Sequence, residues 1–140
     1  MTKFVQDFSE LKVYKNAIEA AADIYKTTKA FPPEERYSMV SQIRHSSSSV
    51  CSNIAEAWMK RLYRAAFVAK LSDSISEAAE TIVWLEMAER CNYLHREKRV
   101  QLESNYRGII GQLVKMTNQA DQWLVKEEET FYQSNDKEFT

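Results

Sequence analysis

The stretch from Gln42 to Glu56 carries polar side chains in a pattern that a plain bundle helix does not need. At about 100° per residue, these side chains form one stripe beside the apolar residues of the same helix. The stripe consists of Gln42, Ser46, Ser49, Asn53, Glu56 and Lys60. One interpretation is that its members hydrogen-bond to neighbouring helices and fix their register. The other is that Asn53 and Glu56 face a ligand or another subunit.

Glu56 is the most informative residue of the stripe, because a half-buried carboxylate needs a compensating charge. We expect this partner to be an arginine or a lysine from a neighbouring helix or subunit. The predicted register and assembly residues are Gln42, Arg44, Ser49, Asn53 and Glu56. The substitutions Asn53→Ala and Glu56→Ala are expected to lower the stability of the bundle or of its oligomer.

The sequence contains no recognisable catalytic or metal-binding set. A di-iron bundle requires Glu-x-x-His pairs on facing helices, and this chain has no such pair. His45 and His95 lie in different segments. The serine run Ser46 to Ser49 has no companion base, and serines in helices usually bond to their own backbone. We therefore predict no enzyme activity, no catalytic residue, no cofactor and no metal.

Composition predicts a single helical domain. A chain of 140 residues can bury a core without disulfides or metal. Only two glycines and two prolines occur, which is too few for many short strands and tight turns. The net charge of −1 provides no global basic field for nucleic acid. Any nucleic-acid binding must therefore come from local basic clusters.

The two cysteines and the N-terminus indicate a cytoplasmic protein without a membrane partner. Cys51 and Cys91 lie in apolar-rich segments without C-x-x-C spacing, and we expect both to be buried free thiols in a reducing compartment. The first residues lack a signal-peptide pattern. No run approaches the roughly 18 apolar residues of a membrane span.

Heptad spacing predicts the first two helices. The first begins near Asp7 or Ser9 and ends before Pro32, with its core face formed by Leu11, Tyr14, Ile18, Ala21, Tyr25 and Thr28. Pro33 and the two following glutamates are expected to form the first turn of the second helix. The core face of that helix is Val40, Ile43, Ser47, Val50, Ile54 and Ala57.

The same spacing continues in two further segments. The third helix is predicted from Leu62 to Cys91 and is closed by Asn92, with a core face of Phe67, Leu71, Ser74, Ala78, Thr81, Leu85 and Ala88. The fourth uses Leu102, Tyr106, Ile109, Leu113, Met116, Ala120 and Trp123. Gly108 and Gly111 inside it are expected to mark a close helix contact, because each costs about 1 kcal/mol relative to alanine.

Four such segments with short connections predict an all-α, antiparallel up-down-up-down four-helix bundle over residues 1–126. The acidic tail, residues 127–140, lacks the heptad period. We expect it to be disordered unless a partner captures Phe131 and Tyr132.

Two clusters of basic residues and some apolar bulk remain outside the predicted core. The candidate nucleic-acid contacts, around the second and third connections, are Lys60, Arg61, Arg64, Arg96, Lys98 and Arg99. They are either solvated charges or, if subunits assemble side by side, a repeated phosphate-binding patch with salt-sensitive affinity. Tyr63 and Tyr93 could add stacking. Trp58, Met59, Trp84 and Met87 predict a self-association interface.

Several motifs resemble the bacterial four-helix bundle proteins of the 23S ribosomal RNA intervening-sequence type. The matching pieces are FSELKVYK from Phe8, FPPEERY from Phe31, QIR from Gln42, SVCSNIAE from Ser49, Glu80, and AERCNYL from Ala88. The resemblance covers about Phe8 to Trp123. Cys51 stands where the family often has proline, and Ala57 where it has glycine. These differences favour a straighter, longer second helix.

The resemblance implies a ring-like homopentamer without catalytic activity, acting as a scaffold associated with RNA or DNA. Some members of the family are encoded within insertions of ribosomal RNA genes. Distant relatives are accessory proteins that bind nucleic acid beside a reverse transcriptase. The alternative function is therefore a protein-interaction module or an accessory subunit of a nucleic-acid enzyme.

Overall fold

The computed structural model describes residues 5–125, and the regular elements in that range are all helical. The four long helices are α1 (Lys12–Thr28), α2 (Met39–Met59), α3 (Arg64–Arg90) and α4 (Arg96–Asn118). Short 3-10 turns occur at Phe8–Glu10, Pro33–Glu35 and Ala120–Gln122. The predicted disordered tail, residues 127–140, lies outside the described residues, as do the two ends of the predicted domain.

The helices form the predicted antiparallel four-helix bundle. Each helix packs on the one before and the one after it, and α1 closes the bundle against α4. Hydrogen bonds show the direction of this last pair: Asn16 contacts Gln112, while Asp23, further along α1, contacts Lys98. Residue numbers therefore rise along α1 in the direction in which they fall along α4, so these two helices are antiparallel. None of the described helices is both long enough and apolar enough to cross a membrane.

The predicted core faces of α2 and α3 are confirmed. All of their members are buried: Val40, Ile43, Ser47, Val50, Ile54, Ala57, Phe67, Leu71, Ser74, Ala78, Thr81, Leu85 and Ala88. In α4 the predicted residues from Leu102 to Met116 are also buried, as is Ala120 in the following turn, while Trp123 is half-buried. A three-four spacing was thus sufficient to identify the inner face of these three helices.

The predicted core face of α1 is partly wrong. Ile18 and Tyr25 are exposed on the surface. Leu11, Ala21 and Thr28 are buried as predicted. The other buried residues of α1 are Val13, Ala17, Ala20 and Ile24, which were not predicted. Alanines occupy little space, so α1 packs through a smaller and rotated face than its larger apolar residues suggested. Tyr25 lies at the margin, where its ring is 4.6 Å from the Arg44 guanidinium.

The ends of the helices show how local sequence sets their limits. Asp7 accepts a hydrogen bond from the Ser9 amide at 3.1 Å. It therefore caps the first 3-10 turn and does not cap α1. Contrary to prediction, Pro33–Glu35 is a separate turn and α2 begins at Met39. Glu35 nevertheless accepts a hydrogen bond from the Met39 amide at 3.3 Å, so this carboxylate stabilises the start of α2 from outside.

The third helix ends as predicted. Asn92 has a φ of 63°, the left-handed conformation that closes a helix. The cysteine just before it does not follow its prediction, because Cys91 is exposed at this end of α3. Cys51 is a buried free thiol, and burial raises its pKa to about 11. Its thiol is therefore protonated at neutral pH.

Two further predictions about packing are wrong. Trp58 is only 3% exposed, and its ring centroid lies 6.1 Å from that of Trp123, so it belongs to the core and not to a free surface. Its ring is covered by Trp123 from the segment after α4 and by the Arg61 guanidinium. Gly108 and Gly111 make no close helix contact, since a Cβ added at either position would have no atom of another helix within 4 Å.

Candidate functional site

Much of the polar stripe of α2 faces α3. Ser46 is fully buried, and its hydroxyl lies 2.8 Å from the hydroxyl of Thr81 on α3. Ser49 and Asn53 are half-buried, whereas Gln42 is exposed. Ser74 of α3 donates a second buried hydrogen bond, to the carbonyl of Val50 at 2.8 Å. Most of the stripe thus lies at a helix margin and does not line a pocket.

Glu56 has the basic partner that was predicted, although Glu56 is exposed and not half-buried as expected. Lys70 Nζ of α3 lies 2.8 Å from Glu56 Oε1 and 3.5 Å from Asn53 Oδ1. Asn53 also donates to the carbonyl of Ser49 at 2.9 Å. The hydrogen bond from Lys70 lowers the pKa of Glu56, and the same bond raises the pKa of Lys70. Both groups are therefore charged at neutral pH, which suits an ion pair better than an acid or a base.

Arg44 differs from the rest of the predicted assembly set because it faces α1. Its Nε donates to Thr28 Oγ1 at 2.9 Å, and its Nη2 donates to the carbonyl of Tyr25 at 3.1 Å. The last carbonyls of a helix lack intrahelical partners, and this guanidinium satisfies one of them. Arg44 therefore joins the C-terminal end of α1 to α2.

Of the three candidate nucleic-acid contacts at the third connection, Lys98 and Arg99 are engaged with carboxylates, whereas Arg96 is exposed. Lys98 lies 3.0 Å from Asp23 on α1. Arg99 lies 2.7 Å from both Glu89 and Glu103. These ion pairs raise the pKa of Arg99 further above its ordinary value. A phosphate would have to compete with these carboxylates for both basic residues.

The basic residues of the second connection have more varied surroundings. Arg64 Nε lies 3.0 Å from Asp121, in an exposed ion pair. The Arg61 guanidinium stacks 3.5 Å from the centroid of Trp58, whose carbonyl accepts a hydrogen bond from Arg61 Nε. Lys60 is exposed, and no described carboxylate lies within 4 Å of it.

The two tyrosines proposed for stacking have different positions. The Tyr93 hydroxyl donates to Glu35 Oε2 at 2.7 Å, and its ring packs 5.6 Å from Phe31. The hydrogen bond to the carboxylate raises the pKa of Tyr93 to about 12. Tyr93 therefore joins two connections of the bundle, whereas Tyr63 remains exposed.

A shallow apolar depression of about 330 Å³ lies between α1 and α2. We define the α1–α2 face by five residues that line it: Phe8, Tyr14, Ile18, Ser48 and Ser52. From position 41 to position 55 of α2, the single charged residue is an arginine that is bonded to α1. Sequence reasoning missed this face because Ile18 was assigned to the core.

A second, more polar depression of about 620 Å³ separates α1 from α4. We call it the α1–α4 groove; Asn16, Glu19, Asp23, Asn105 and Gln112 are among its lining residues. Asn16 donates across it to Gln112 at 3.0 Å. Over residues 5–125, no three His, Cys, Asp or Glu side chains come together in a way that could hold a metal ion.

The family model for the 23S rRNA-intervening sequence protein matches residues 9–115 of this chain. The chain belongs to this family. The match spans α1, α2 and α3 completely and most of α4, so it includes the polar stripe and, except for Phe8, the α1–α2 face. The acidic tail lies outside the match.

A solved structure agrees with this assignment. The chain is 31% identical to a crystal structure from Bacteroides thetaiotaomicron, described as a protein with unknown function from the S23 ribosomal protein family. The TM-score is 0.69, and the similarity covers 76% of this chain and 95% of that one. No curated protein matches the chain.

Proposed function

We propose that this member of the 23S rRNA-intervening sequence protein family is a non-catalytic, homo-oligomeric scaffold. The observation that carries the proposal is the α1–α2 face, where Ile18 is exposed beside a helix surface almost without charge. Exposed apolar surfaces with few charges commonly serve as protein interfaces. The serines of this face are small, so a second helix can approach closely.

A ring-like pentamer requires two different patches on each subunit, because ring contacts are heterologous. The α1–α2 face supplies one patch. Val83 and Met87, which are both exposed on α3, supply a second apolar patch. The pentamer proposal therefore pairs the α1–α2 face of one subunit with α3 of the next.

Sedimentation equilibrium of matched variants tests this assembly. Ile18→Asp places a charge in the α1–α2 face, whereas Val114→Asp places one on α4 at a residue of equal exposure, 43% in both cases. We expect Ile18→Asp to reduce the oligomer to smaller species and Val114→Asp to leave it intact. Wild-type protein that is monomeric at micromolar concentration would contradict the proposal, as would equal behaviour of the two variants.

Association with nucleic acid is the second candidate function. It is favoured by Lys60 and Arg96, which are exposed and lie at opposite ends of the bundle, and by the exposed ring of Tyr63. An oligomer would repeat both positions, and repeated phosphate contacts give salt-sensitive affinity. Lys98 and Arg99 contribute to this proposal only if they leave their carboxylate partners.

RNA binding at low salt tests the second candidate. We expect Lys60→Glu and Arg96→Glu to weaken binding and to reduce its salt dependence, while Lys115→Glu, an exposed charge reversal elsewhere on α4, has a smaller effect. No binding at low salt would contradict it. Stable capture of another protein without RNA would instead favour the alternative, a protein-interaction module or accessory subunit.

A further inference from the structure

The last described residues, which follow α4, lie beside the turn between α2 and α3. After α4, Trp123 packs against Trp58, and the amide of Val125 donates to the carbonyl of Arg61 at 3.2 Å. The last described residue, Val125, therefore lies at this end of the molecule, beside the turn that follows α2.

The surface at this exit point combines apolar bulk with positive charge. We define the α2–α3 end by Met59, Lys60 and Tyr63, all of which are exposed; Met59, at 70%, is among the most exposed large apolar residues. Met59 and Lys60 line a shallow depression of about 340 Å³ together with Ala55 and Glu56. An occupant with aromatic and acidic side chains would complement this surface.

Residues 126–140 have that composition. Glu127, Glu128 and Glu129 are followed at once by Thr130, Phe131 and Tyr132. The segment contains five acidic and two basic residues, so its side chains carry a net charge of −3, whereas the whole chain carries −1. The rest of the chain is therefore positive overall, and the two parts have opposite charge.

We propose that residues 127–132 dock on the α2–α3 end of their own bundle. The three glutamates face Lys60, and Phe131 with Tyr132 cover Met59 and Tyr63. Seven residues beyond Val125 span up to about 23 Å when extended, which is enough to reach a surface that begins at the exit point. A tethered segment has an effective local concentration near the millimolar range, which favours it over a separate molecule.

Methionine oxidation by hydrogen peroxide, followed by mass spectrometry of peptides from the full-length protein, tests the proposal. Access to the thioether controls the formation of methionine sulfoxide. Met87 on α3 is the internal reference because it is less exposed than Met59, 44% against 70%. If the tail covers Met59, we expect Met59 to be oxidised no faster than Met87 despite its greater exposure.

Variants of the tail distinguish the contributions of its residues. We expect Phe131→Ser with Tyr132→Ser to accelerate the oxidation of Met59 several-fold and to leave Met87 unchanged. Reversal of Glu127, Glu128 and Glu129 to lysine should accelerate it less, because the aromatic contacts remain. Phe139→Ser is the matched control, an aromatic loss in the same tail outside the docking segment, and should have no effect.

Two outcomes would overturn the proposal. The first is an equal oxidation rate of Met59 in the wild type and in the Phe131→Ser, Tyr132→Ser variant. The second is protection that survives these substitutions and disappears on dilution, because it would assign the cover to a second copy of the chain. Because Met87 also lies in the proposed assembly patch on α3, all oxidation rates are compared in the Ile18→Asp background, where that assembly is disrupted. The sedimentation of Ile18→Asp itself tests the scaffold function separately.

Discussion

Two seams on opposite sides of this bundle, the α2–α3 contact and the α1–α4 contact, are built differently. Between α2 and α3, small hydroxyl side chains meet in the core, with Ser46 bonded to Thr81 and Ser74 bonded to the backbone of Val50. Between α1 and α4, a groove of about 620 Å³ remains, and polar side chains bridge it. The first seam is therefore closed by buried packing, and the second by partly exposed contacts.

This difference identifies which side of the bundle can open most easily. Buried hydrogen bonds in a packed seam cannot be replaced by water without separating the helices. Partly exposed pairs such as Asn16 with Gln112 or Asp23 with Lys98 exchange for water at small cost. We infer that α1 is held to α4 more weakly than α2 is held to α3.

The largest expected effect comes from overfilling the tight seam. Ser74→Leu introduces bulk at a fully buried position, and overpacking of this kind typically costs about 1–3 kcal/mol. Urea unfolding measures the loss. Ser72→Leu, at an exposed position of the same helix, is the control and should stay close to the wild type. Equal stability of the two variants would show that the α2–α3 seam is not closely packed.

A glycine of the α1–α4 groove should respond in the opposite direction. Gly108→Ala is expected to stabilise the protein by up to about 1 kcal/mol, because alanine favours the helix and the new methyl group would have no atom of another helix within 4 Å. Thermal or urea unfolding measures the gain. A loss of stability or of assembly would indicate instead that another molecule packs against α4 at this groove.

The ion pair across the α1–α4 groove should contribute modestly. Asp23→Asn removes the partner of Lys98, and we expect a loss of at most about 1 kcal/mol, because both side chains remain partly exposed. The difference from the wild type should shrink as salt is added. A loss as large as that of Ser74→Leu would contradict the proposed difference between the seams.

The smallest effect is expected at the exposed edge of the tight seam. Glu56→Gln removes the ion pair with Lys70, which lowers the pKa of Glu56 below its ordinary value of 4.5. This contribution is present above that value and is lost as the pH falls through the lowered pKa of the folded state. Unfolding of both proteins between pH 7 and pH 3 should show the small difference disappearing in acid. A difference that grows in acid would contradict this assignment.

Much of the fold followed from periodicity because α2, α3 and α4 have core faces that are unambiguous along the helix. The α1 face was missed because this helix has two competing series, one with Ile18 and Tyr25 and one rich in alanine. A sequence pattern ranks residues by hydrophobicity. In the folded bundle, the series of small residues is buried because it lets the backbone of α1 lie close to the neighbouring helices.

For the candidate functional residues, the kind of partner of Glu56 was predicted, but contacts between distant parts of the chain were not. A basic partner for Glu56 was expected, and the structure supplies Lys70. The assignment of Trp58 to the surface was wrong, because its ring packs against Trp123, a residue distant in sequence. The hydrogen bond from Tyr93 to Glu35 was likewise not foreseen. Spacing along one helix contains no information on such contacts.

The sequence by itself determined the helical class, the number of long helices, the antiparallel bundle and the family of this protein. These follow from heptad spacing, from scarce glycine and proline, and from motifs that are local in the chain. Only the tertiary structure decided which side of α1 is buried, which basic residues are paired with carboxylates, and where an apolar face remains exposed. Each of these depends on how closely two helices approach, which is a property of the packed pair and not of either helix alone.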